Sequence, residues 1–459
     1  MERTETLEAT TRGQGQHAQQ ADSALGLSDL TNSDVRAHRL SLLRPVTKED
    51  IREALKDFDI SFIWRSDKYE AERRGIRTCL SQRDGLGADL KMTYSAAYLG
   101  ATTGSTVYLP SEGDPTLMDY LQRSGLLPAG FVTSGNFDEM MEKATTRGRK
   151  VYSVDDLGAH RDAVSAVSQD AMEFVNKKSN VAVLAGAYAP PEEIVSVGNL
   201  SADLYERMKP SSGVIYLKTC TGEGGGIGVI RVTSREDMAA TIAKLQGTYS
   251  ADESIIVQPE IKGRNFRFQI FLNPKNLESV PVVSLTEQIV ADDGIQYTGS
   301  LPIPVTPENL AVIGDAIVEF ANNIRLRYPD AVGFASCDFF RTEDHKTILF
   351  DPALRPTGNT ASFMLRLDLQ ERGVPSIVAD YKRIKLNAPN LPFSEVERVL
   401  GPVIDAQAVL KSGVGVLPWG YNQYQGEGTF MVLGRDQTQV DLLWAGVQAA
   451  LRENLSPKA

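Results

Sequence analysis

Two aspartates in neighbouring apolar segments, followed by an arginine and an asparagine, are the side chains of this sequence best suited to phosphate chemistry. Asp338 and Asp351 flank the charged turn 342–346, and Arg355 and Asn359 follow them. Strands joined by this turn would bring both carboxylates together, and magnesium prefers such oxygen ligands, completed by water and phosphates. Arg355 would stabilise negative charge on a transferring phosphoryl group, and Asn359 would add a neutral oxygen. The alternative is structural, with each aspartate capping a turn.

A glycine-rich loop behind a lysine is the second candidate for phosphate binding. The apolar segment 213–218 predicts a strand that ends at Lys218, and the next strand is predicted from residue 227. The glycines between them are Gly222, Gly224, Gly225 and Gly226. Glycine lets backbone N–H groups approach phosphate oxygens closely, and the lysine supplies positive charge. Because the loop leads into a strand, it is neither a Walker A loop nor a Rossmann motif; it predicts a flap over phosphates or, alternatively, a plain surface hairpin.

The elements that must position these side chains divide the chain into four predicted regions. Residues 1–40 contain almost no large apolar side chains, so a mobile tail is expected. Alternating strand and helix patterns predict a Rossmann-like α/β domain of parallel strands at 41–170. Paired strand patterns predict antiparallel sheets at 171–386, and residues 387–459 predict a small α/β cap.

The third region carries both candidate motifs, and strand patterns dominate it. Strands are predicted at 213–218, 227–232, 254–259, 266–272, 280–285, 333–340 and 347–351. Helices are predicted at 200–208, 234–246 and 306–328. The region is therefore expected to be α+β.

Composition excludes several classes of partner. The net charge of -11 over 459 residues disfavours binding to nucleic acid or to an anionic membrane surface. The cysteines Cys79, Cys220 and Cys337 are far apart and form no CxxC pair, which argues against a zinc ribbon or a disulfide framework. No apolar run approaches the ~20 residues of a membrane span, and no secretory signal is evident at the N-terminus. The expected location is the cytoplasm.

Taken in order, these features resemble the ATP-grasp superfamily. The resemblance implies an ATP-grasp fold with a preceding α/β domain and a small C-terminal cap, and it implies ATP and Mg²⁺ as cofactors. In this family a lysine ahead of the first small strand reaches the phosphates, and either Lys177 or Lys178 fits that position. The segment 254–265 resembles the hinge that reads the adenine, and its implied contacts are Gln258, Pro259, Glu260, Ile261 and Asn265.

The resemblance also implies an activity. ATP-grasp ligases convert a carboxylate to an acyl phosphate and transfer it to an amine. The segments 351–360 and 413–419 resemble peptide ligases of the pheganomycin type, which join a guanidino amino acid to the N-terminus of a ribosomally made peptide. On this resemblance Arg355 and Arg267 would hold the acid and the tetrahedral intermediate. Glu287 would pair with a cationic substrate group or remain a solvated acid, and a homo-oligomer is implied.

Two departures from the family pattern leave other functions open. The second metal strand usually reads Glu-x-Asn, whereas this chain has Asp351 and Ala353, and alanine coordinates nothing. Pro259 lacks an N–H at the hinge. The alternatives are a degenerate nucleotide-binding protein and a phosphotransferase that uses the same ATP site.

Overall fold

The chain folds into four β-sheets with helices packed against them. The computed structural model describes residues 32–61, 99–100, 102–110, 114–126, 132–134, 137–153, 165–220, 228–290, 297–374, 378–386, 388, 390–423 and 426–455. Within these ranges the helices are α1 (Asn32–Ser41), α2 (Lys48–Leu55), α3 (Pro115–Arg123), α4 (Phe137–Thr146), α5 (Gln169–Asn176), α6 (Val181–Ala185), α7 (Asp203–Met208), α8 (Arg235–Gln246), α9 (Pro307–Arg327), α10 (Gly358–Glu371), α11 (Phe393–Leu400), α12 (Ala406–Ser412) and α13 (Gln437–Leu455). The strands are β1 (Leu43–Pro45), β2 (Phe58–Ser61), β3 (Val107–Pro110), β4 (Val132–Ser134), β5 (Lys150–Ser153), β6 (Glu193–Ser196), β7 (Ile215–Thr219), β8 (Val229–Val232), β9 (Ser254–Pro259), β10 (Gly263–Leu272), β11 (Val280–Val290), β12 (Tyr297–Ile303), β13 (Gly333–Thr342), β14 (Thr347–Ala353), β15 (Val378–Lys385), β16 (Gly415–Asn422) and β17 (Glu427–Gly434). None of the described helices is long and apolar enough to cross a membrane.

The first sheet is the predicted parallel α/β unit. Its strands lie in the order β4-β3-β2-β5, and every pair is parallel. Parallel strands need crossover connections, and α3 lies in the one from β3 to β4 while α4 lies in the one from β4 to β5. Asp114 begins α3 by accepting a hydrogen bond from the Thr116 amide at 2.8 Å. The alternating sequence pattern therefore predicted this unit correctly.

The second sheet forms a small lobe with its own core. Its order is β6-β9-β7-β8, and all its pairs are antiparallel. Ile215 and Leu217 are buried among residues of α7 and α8, in a cluster separate from the main core. Because side chains alternate along a strand, Lys218 on β7 points to the opposite face of this lobe.

The third sheet is the largest, and one of its faces is covered by α9. The order is β1-β11-β10-β13-β14, with β12 beside β11. Phe268 of β10 meets Phe320 of α9 edge to face, with ring centroids 5.4 Å apart. On β10 and β13 the alternate side chains, including Arg267 and Asp338, point away from α9. The predicted strands of this region are all present, although β11 continues to Val290.

Residues 260–262 connect the small lobe to the large sheet. Strand β9 ends in the small lobe at Pro259, and β10 begins in the large sheet at Gly263. The two sheets belong to separate hydrophobic clusters, so this short link is the direct covalent connection between their cores. The segment predicted to be a hinge therefore lies where the two sheets meet.

The fourth sheet is a small C-terminal unit with the order β15-β17-β16. Strands β16 and β17 form the predicted hairpin, and α13 packs on β15 and β17. The sequence places the start of this unit at residue 387, but β15 begins at Val378 and pairs with β17 along its length. That boundary is wrong because a strand pattern does not reveal which distant strand is its partner.

The predicted mobile tail is also shorter than expected. Residues 32–41 form α1, which packs against α9. A Cβ atom at Gly314 of α9 would lie 2.4 Å from a methyl carbon of Leu40, so this glycine permits the close approach of the two helices. Arg36 adds an ion pair to Asp315 at 3.0 Å. The low hydrophobicity of the segment predicted disorder, but a few apolar contacts and this ion pair hold the helix.

Candidate nucleotide-binding site

Two lysines, one from each side of a cleft, point to the same place. Lys178 follows α5, and its side chain is 7 % exposed. Its ammonium nitrogen Nζ lies 3.7 Å from Oδ1 of Asp351 on β14, and its backbone N–H donates to the Cys220 carbonyl at 2.9 Å. Lys177 is exposed. Of the two lysines that the sequence left open, Lys178 is the one inside the cleft.

Lys218 enters the cleft from the small lobe. Its ammonium donates a hydrogen bond to Oε1 of Gln258 on the neighbouring strand and lies 5.1 Å from the centroid of the Phe350 ring. Burial, followed by repulsion from Lys178, lowers the pKa of Lys218 to about 8, although Asp351 opposes the shift. Two cations held together at this cost indicate a site for an anion.

The two aspartates of the predicted metal pair are directly opposite each other on β13 and β14. Asp338 is in register with Asp351, as the sequence predicted for a hairpin. Arg267 of β10 binds Asp338 through two hydrogen bonds, one of them from Nη2 to Oδ2 at 3.0 Å. Burial raises the pKa of Asp338, and the Arg267 guanidinium opposes this shift. Arg267 is thus in the cleft, with the Asp338 carboxylate as its partner.

The carboxylates fit a cation that shares its coordination with phosphates. Within the described part of the chain, no group of three His, Cys, Asp or Glu side chains could hold a metal alone. Magnesium commonly takes one or two carboxylates and completes its shell with water and phosphate oxygens. Asp338 and Asp351 supply such a pair beside Lys178 and Lys218. Ala353 pairs with Ser336 in the strand ladder and offers no ligand, and the side chain of Asn359 lies outside the described residues.

Polar atoms at the hinge end of the cleft lack partners. Nε2 of Gln258 and Oδ1 of Asn265 are buried with no hydrogen bond. Buried polar groups without partners are rare, so both atoms fit a polar ligand that would complete their hydrogen bonds. The amide of Glu260 is not available for this, because it donates to the Val214 carbonyl at 3.0 Å. Among the residues predicted to contact the adenine, Gln258 and Asn265 are therefore the two with a side-chain atom that can still form a hydrogen bond with a ligand.

Aromatic side chains line the same cleft, and the sequence did not single them out. The rings of Phe340 and Phe350 are stacked, with centroids 4.5 Å apart, and Phe350 also carries Lys218 above its ring. A flat apolar surface beside two lysines suits a ligand with both a planar ring and phosphates. The sequence feature that could have indicated them is an aromatic residue close to each predicted metal-binding aspartate: Phe340 is two positions after Asp338, and Phe350 is one before Asp351.

The turn that carries Arg355 is held from two sides. The Leu354 N–H donates to Oδ1 of Asn176 at 2.8 Å. Gln269 of β10 is fully buried, and it donates to Thr357 at 3.3 Å and accepts from Thr360 at 2.9 Å. Arg355 lies between these contacts and is half-buried. Asn176 and Gln269 therefore fix the backbone that presents the arginine.

Glu287, the predicted partner of a cationic substrate group, has a partner within the chain. Arg264 of β10 donates to its Oε1 at 2.8 Å and also contacts Oε2. The two residues lie on adjacent antiparallel strands, where diagonal side chains are within reach of each other. A substrate cation would have to compete with this guanidinium. The predicted phosphate-binding glycines Gly224, Gly225 and Gly226 lie outside the described residues.

Glu192 is a carboxyl group that sequence analysis missed. It follows Pro190 and Pro191, just before β6, and its Oε1 is buried without a partner. Burial raises its pKa to about 7, although the nearby positive charge of Lys218 acts in the other direction. A protonatable group therefore lies near Lys218.

Known structures with this architecture agree with the fold. No model of a known protein family and no curated protein sequence matches the chain. Among solved structures, a carboxyaminoimidazole ribonucleotide synthase from Aspergillus clavatus complexed with ATP matches with a TM-score of 0.54 and 13 % identity, covering 87 % of this chain and 99 % of that one. An L-amino acid ligase from Bacillus licheniformis matches with a TM-score of 0.52 and 12 % identity, covering 86 % and 97 %. A biotin carboxylase from Campylobacter jejuni matches with a TM-score of 0.52 and 14 % identity, covering 79 % and 89 %. The chain has the ATP-grasp fold.

Proposed function

We propose that this protein is an ATP-dependent ligase that joins a carboxylate to an amine. The observation that carries the proposal is the convergence of Lys178 and Lys218 with Asp338 and Asp351 in the cleft between the small lobe and the large sheet. Two of the solved structures with this fold are named as an amino acid ligase and as a ribonucleotide synthase bound to ATP. Two lysines beside two aspartates suit a nucleoside triphosphate together with a divalent metal ion.

The residues divide the work of binding ATP. Lys178 and Lys218 would neutralise the phosphates, and the planar base would lie against Phe350 and Phe340 with Gln258 and Asn265 at its polar edge. Asp338 and Asp351 would hold magnesium, which would offset the negative charge of the phosphates when bound. The neutral fraction of Lys218 is larger than usual because its pKa is about 8. Phosphate binding would favour its charged form.

The chemistry proceeds in two balanced steps. A carboxylate oxygen of the first substrate attacks the γ-phosphorus, and the bond to the β-phosphate oxygen breaks to release ADP. The amine of the second substrate then attacks the acyl carbon, phosphate leaves, and the amine proton passes to solvent. Arg355 would hold the carboxylate and the tetrahedral intermediate, in a turn fixed by Asn176 and Gln269.

The substrates proposed are an amino acid and the N-terminus of a peptide. This proposal rests on the resemblance of segments 351–360 and 413–419 to peptide ligases of the pheganomycin type, whose acid carries a guanidino group. An enzyme of this kind would serve antibiotic biosynthesis in the cytoplasm and, by the same resemblance, as a homo-oligomer. A guanidino substrate would reach Glu287 only by displacing Arg264.

A degenerate nucleotide-binding protein is the second candidate, and two observations favour it. Ala353 provides no metal ligand, and the Asp338 carboxylate is already bound by Arg267. Such a protein would bind ATP without turnover. A phosphotransferase would instead release ADP without an amine.

The deciding experiment measures ADP release with ATP, Mg²⁺ and a panel of free amino acids, each with and without a peptide acceptor. The variants are Lys218→Met and Asp351→Asn, and the matched control is Lys177→Met at an exposed lysine. The ligase proposal expects ADP only when acid and amine are both present, full activity in the control, and no activity in the two cleft variants. ATP binding without turnover under every condition would overturn it in favour of the degenerate protein.

A further inference from the structure

A second cavity lies on the other side of the large sheet from the two aspartates. Its volume is about 460 Å³, within the usual range for small-molecule sites. Helices α1 and α9, the segment 187–189 and the turn between β13 and β14 form its walls. On β13, Arg341 shares the α9 side with the buried Phe339, whereas Asp338 and Phe340 point into the nucleotide cleft. This rear cavity is therefore separate from the proposed ATP site.

The rear cavity contains a guanidinium with no carboxylate partner. Arg341 is half-buried, and within the described residues its side chain makes one hydrogen bond, which Nη1 donates to the Thr347 hydroxyl at 3.0 Å. The other cations around the cavity are differently placed, since Arg36 pairs with Asp315 and Lys346 pairs with Asp344. A planar guanidinium without a counter-ion, in a chain of net charge -11, suits a carboxylate ligand.

The same cavity offers acceptor groups that need a donor. Oδ1 of Asp315 is buried without a hydrogen bond, while Oδ2 pairs with Arg36. Tyr188 also lines the cavity, and its hydroxyl has no hydrogen bond among the described residues. Burial and the nearby Asp315 raise the pKa of Tyr188 to about 12, so the hydroxyl keeps its proton. A ligand that satisfies both ends of the cavity must carry an anion and a hydrogen-bond donor.

Part of the remaining lining is apolar, although His345 and Thr347 also belong to the wall. Ile313 and Ala316 of α9 contribute aliphatic surface. The wall at residue 187 is fixed because the Ala187 N–H donates to Oε1 of Glu319 on α9 at 3.0 Å. A preformed apolar surface between a cation and an acceptor suits a short zwitterion with an aliphatic body.

We propose that the rear cavity binds an α-amino acid with an apolar side chain. Its carboxylate would bind Arg341, its ammonium would bind Asp315, and its side chain would lie on the apolar surface of α9. Both ends of the ligand contribute, because Arg341 has no carboxylate partner in the described structure and Oδ1 of Asp315 has no hydrogen bond. This binding does not require ligase activity.

The test measures direct binding of L-leucine to the full chain by calorimetry without ATP, with L-leucinamide and 4-methylpentanoate as probes that each lack one charged end. The variants are Arg341→Gln and Asp315→Asn in the rear cavity, Arg355→Gln in the nucleotide cleft, and Arg398→Gln at an exposed surface ion pair as the matched control. Circular dichroism checks that each variant is folded.

The proposal expects leucine to bind the wild type and the Arg398 variant equally, to bind each rear-cavity variant at least about tenfold more weakly, and still to bind the Arg355 variant. Each truncated probe should show a similar loss. Absence of leucine binding to the wild type up to its solubility limit would overturn the proposal. Binding that is lost in the Arg355 variant but kept in both rear-cavity variants would also overturn it, because it would place leucine in the substrate site.

Discussion

Replacing Arg267 with methionine tests whether the buried pair at the centre of the large sheet is held by charge. The side chains of Arg267 and Asp338 are 23 % and 7 % exposed, and two hydrogen bonds join them. Arg267→Met keeps most of the aliphatic stem but leaves a buried carboxylate without its cation. Removing one partner of a buried pair costs about 3–5 kcal/mol, so we expect the free energy of unfolding to fall by about that amount near neutral pH.

The structure provides a matched control in the neighbouring pair. Arg264 on the same strand binds Glu287 through two hydrogen bonds but is 69 % exposed. Exposed ion pairs contribute little to stability, so Arg264→Met should lower the free energy of unfolding much less than Arg267→Met does. The two variants make the same substitution on one strand, and burial of the pair is the main difference between them.

The loss in Arg267→Met should depend on pH in a defined direction. Burial already raises the pKa of Asp338 above its ordinary value of 3.8, and removing the guanidinium would raise it further. A folded-state pKa above the unfolded one means that stability is retained at low pH and lost as pH rises through the folded value. The deficit relative to wild type should therefore be small near pH 4 and should grow by up to about 1.4 kcal/mol per pH unit above it.

The assay is urea unfolding followed by tryptophan fluorescence and circular dichroism, over a series of pH values. The double variant Arg267→Met with Asp338→Asn removes the buried charge and should recover part of the loss. The reasoning is refuted if Arg267→Met is no less stable than Arg264→Met, or if its deficit does not change with pH.

Three further predictions concern the cleft. Lys218→Met should weaken ATP binding at least about tenfold by calorimetry, and wild-type affinity should fall as pH rises through about 8, whereas Lys218→Arg should not show this fall. The folded-state pKa of Glu192 is about 7, above its ordinary 4.5, so its contribution to stability is lost as pH rises through that value. The Glu192→Gln variant should therefore be more stable than wild type near pH 8 but not near pH 5. If the free energy of unfolding has the same pH dependence in both proteins, Glu192 is not an unpartnered buried acid. Gln269→Leu removes the hydrogen bonds that Gln269 makes with the hydroxyls of Thr357 and Thr360, so the free energy of unfolding should fall by about 1–3 kcal/mol. The turnover number should also fall, with little change in ATP affinity. An unaltered turnover number would mean that Gln269 does not position Arg355.

The sequence predicted the strands that carry the chemistry because their patterns are local. The apolar segments before Lys218 and around Asp338 and Asp351 contain enough β-branched and aromatic residues to define strands and their shared turn. From that turn, the opposition of the two aspartates followed directly, and the structure shows it. The order of these motifs along the chain was enough to indicate the ATP-grasp fold.

The sequence could not predict which charged side chains pair with each other, because these contacts join segments that are far apart along the chain. Nothing in the sequence around Arg267 indicates that Asp338 is its partner, since the pairing depends on the register of β10 and β13. Glu287 is paired with Arg264 for the same reason. The choice between Lys177 and Lys178 depended on the direction in which the chain leaves α5. The side chain of Lys177 is exposed there, whereas that of the next residue, Lys178, is buried. Local patterns specify elements, whereas registers specify partners.

The short strand β1 has a consequence for synthesis on the ribosome. Leu43 pairs with Val280, so β1 is translated long before the strand beside which it must lie. The α/β unit between them can form in the interval, but the large sheet cannot close until β11 has emerged. Until then, the backbone groups of β1 face solvent and any other strand edge nearby. A nascent chain that pauses before residue 280 would thus carry an unpaired edge, and a chaperone that covers this N-terminal segment would aid folding more than one that acts on the finished chain.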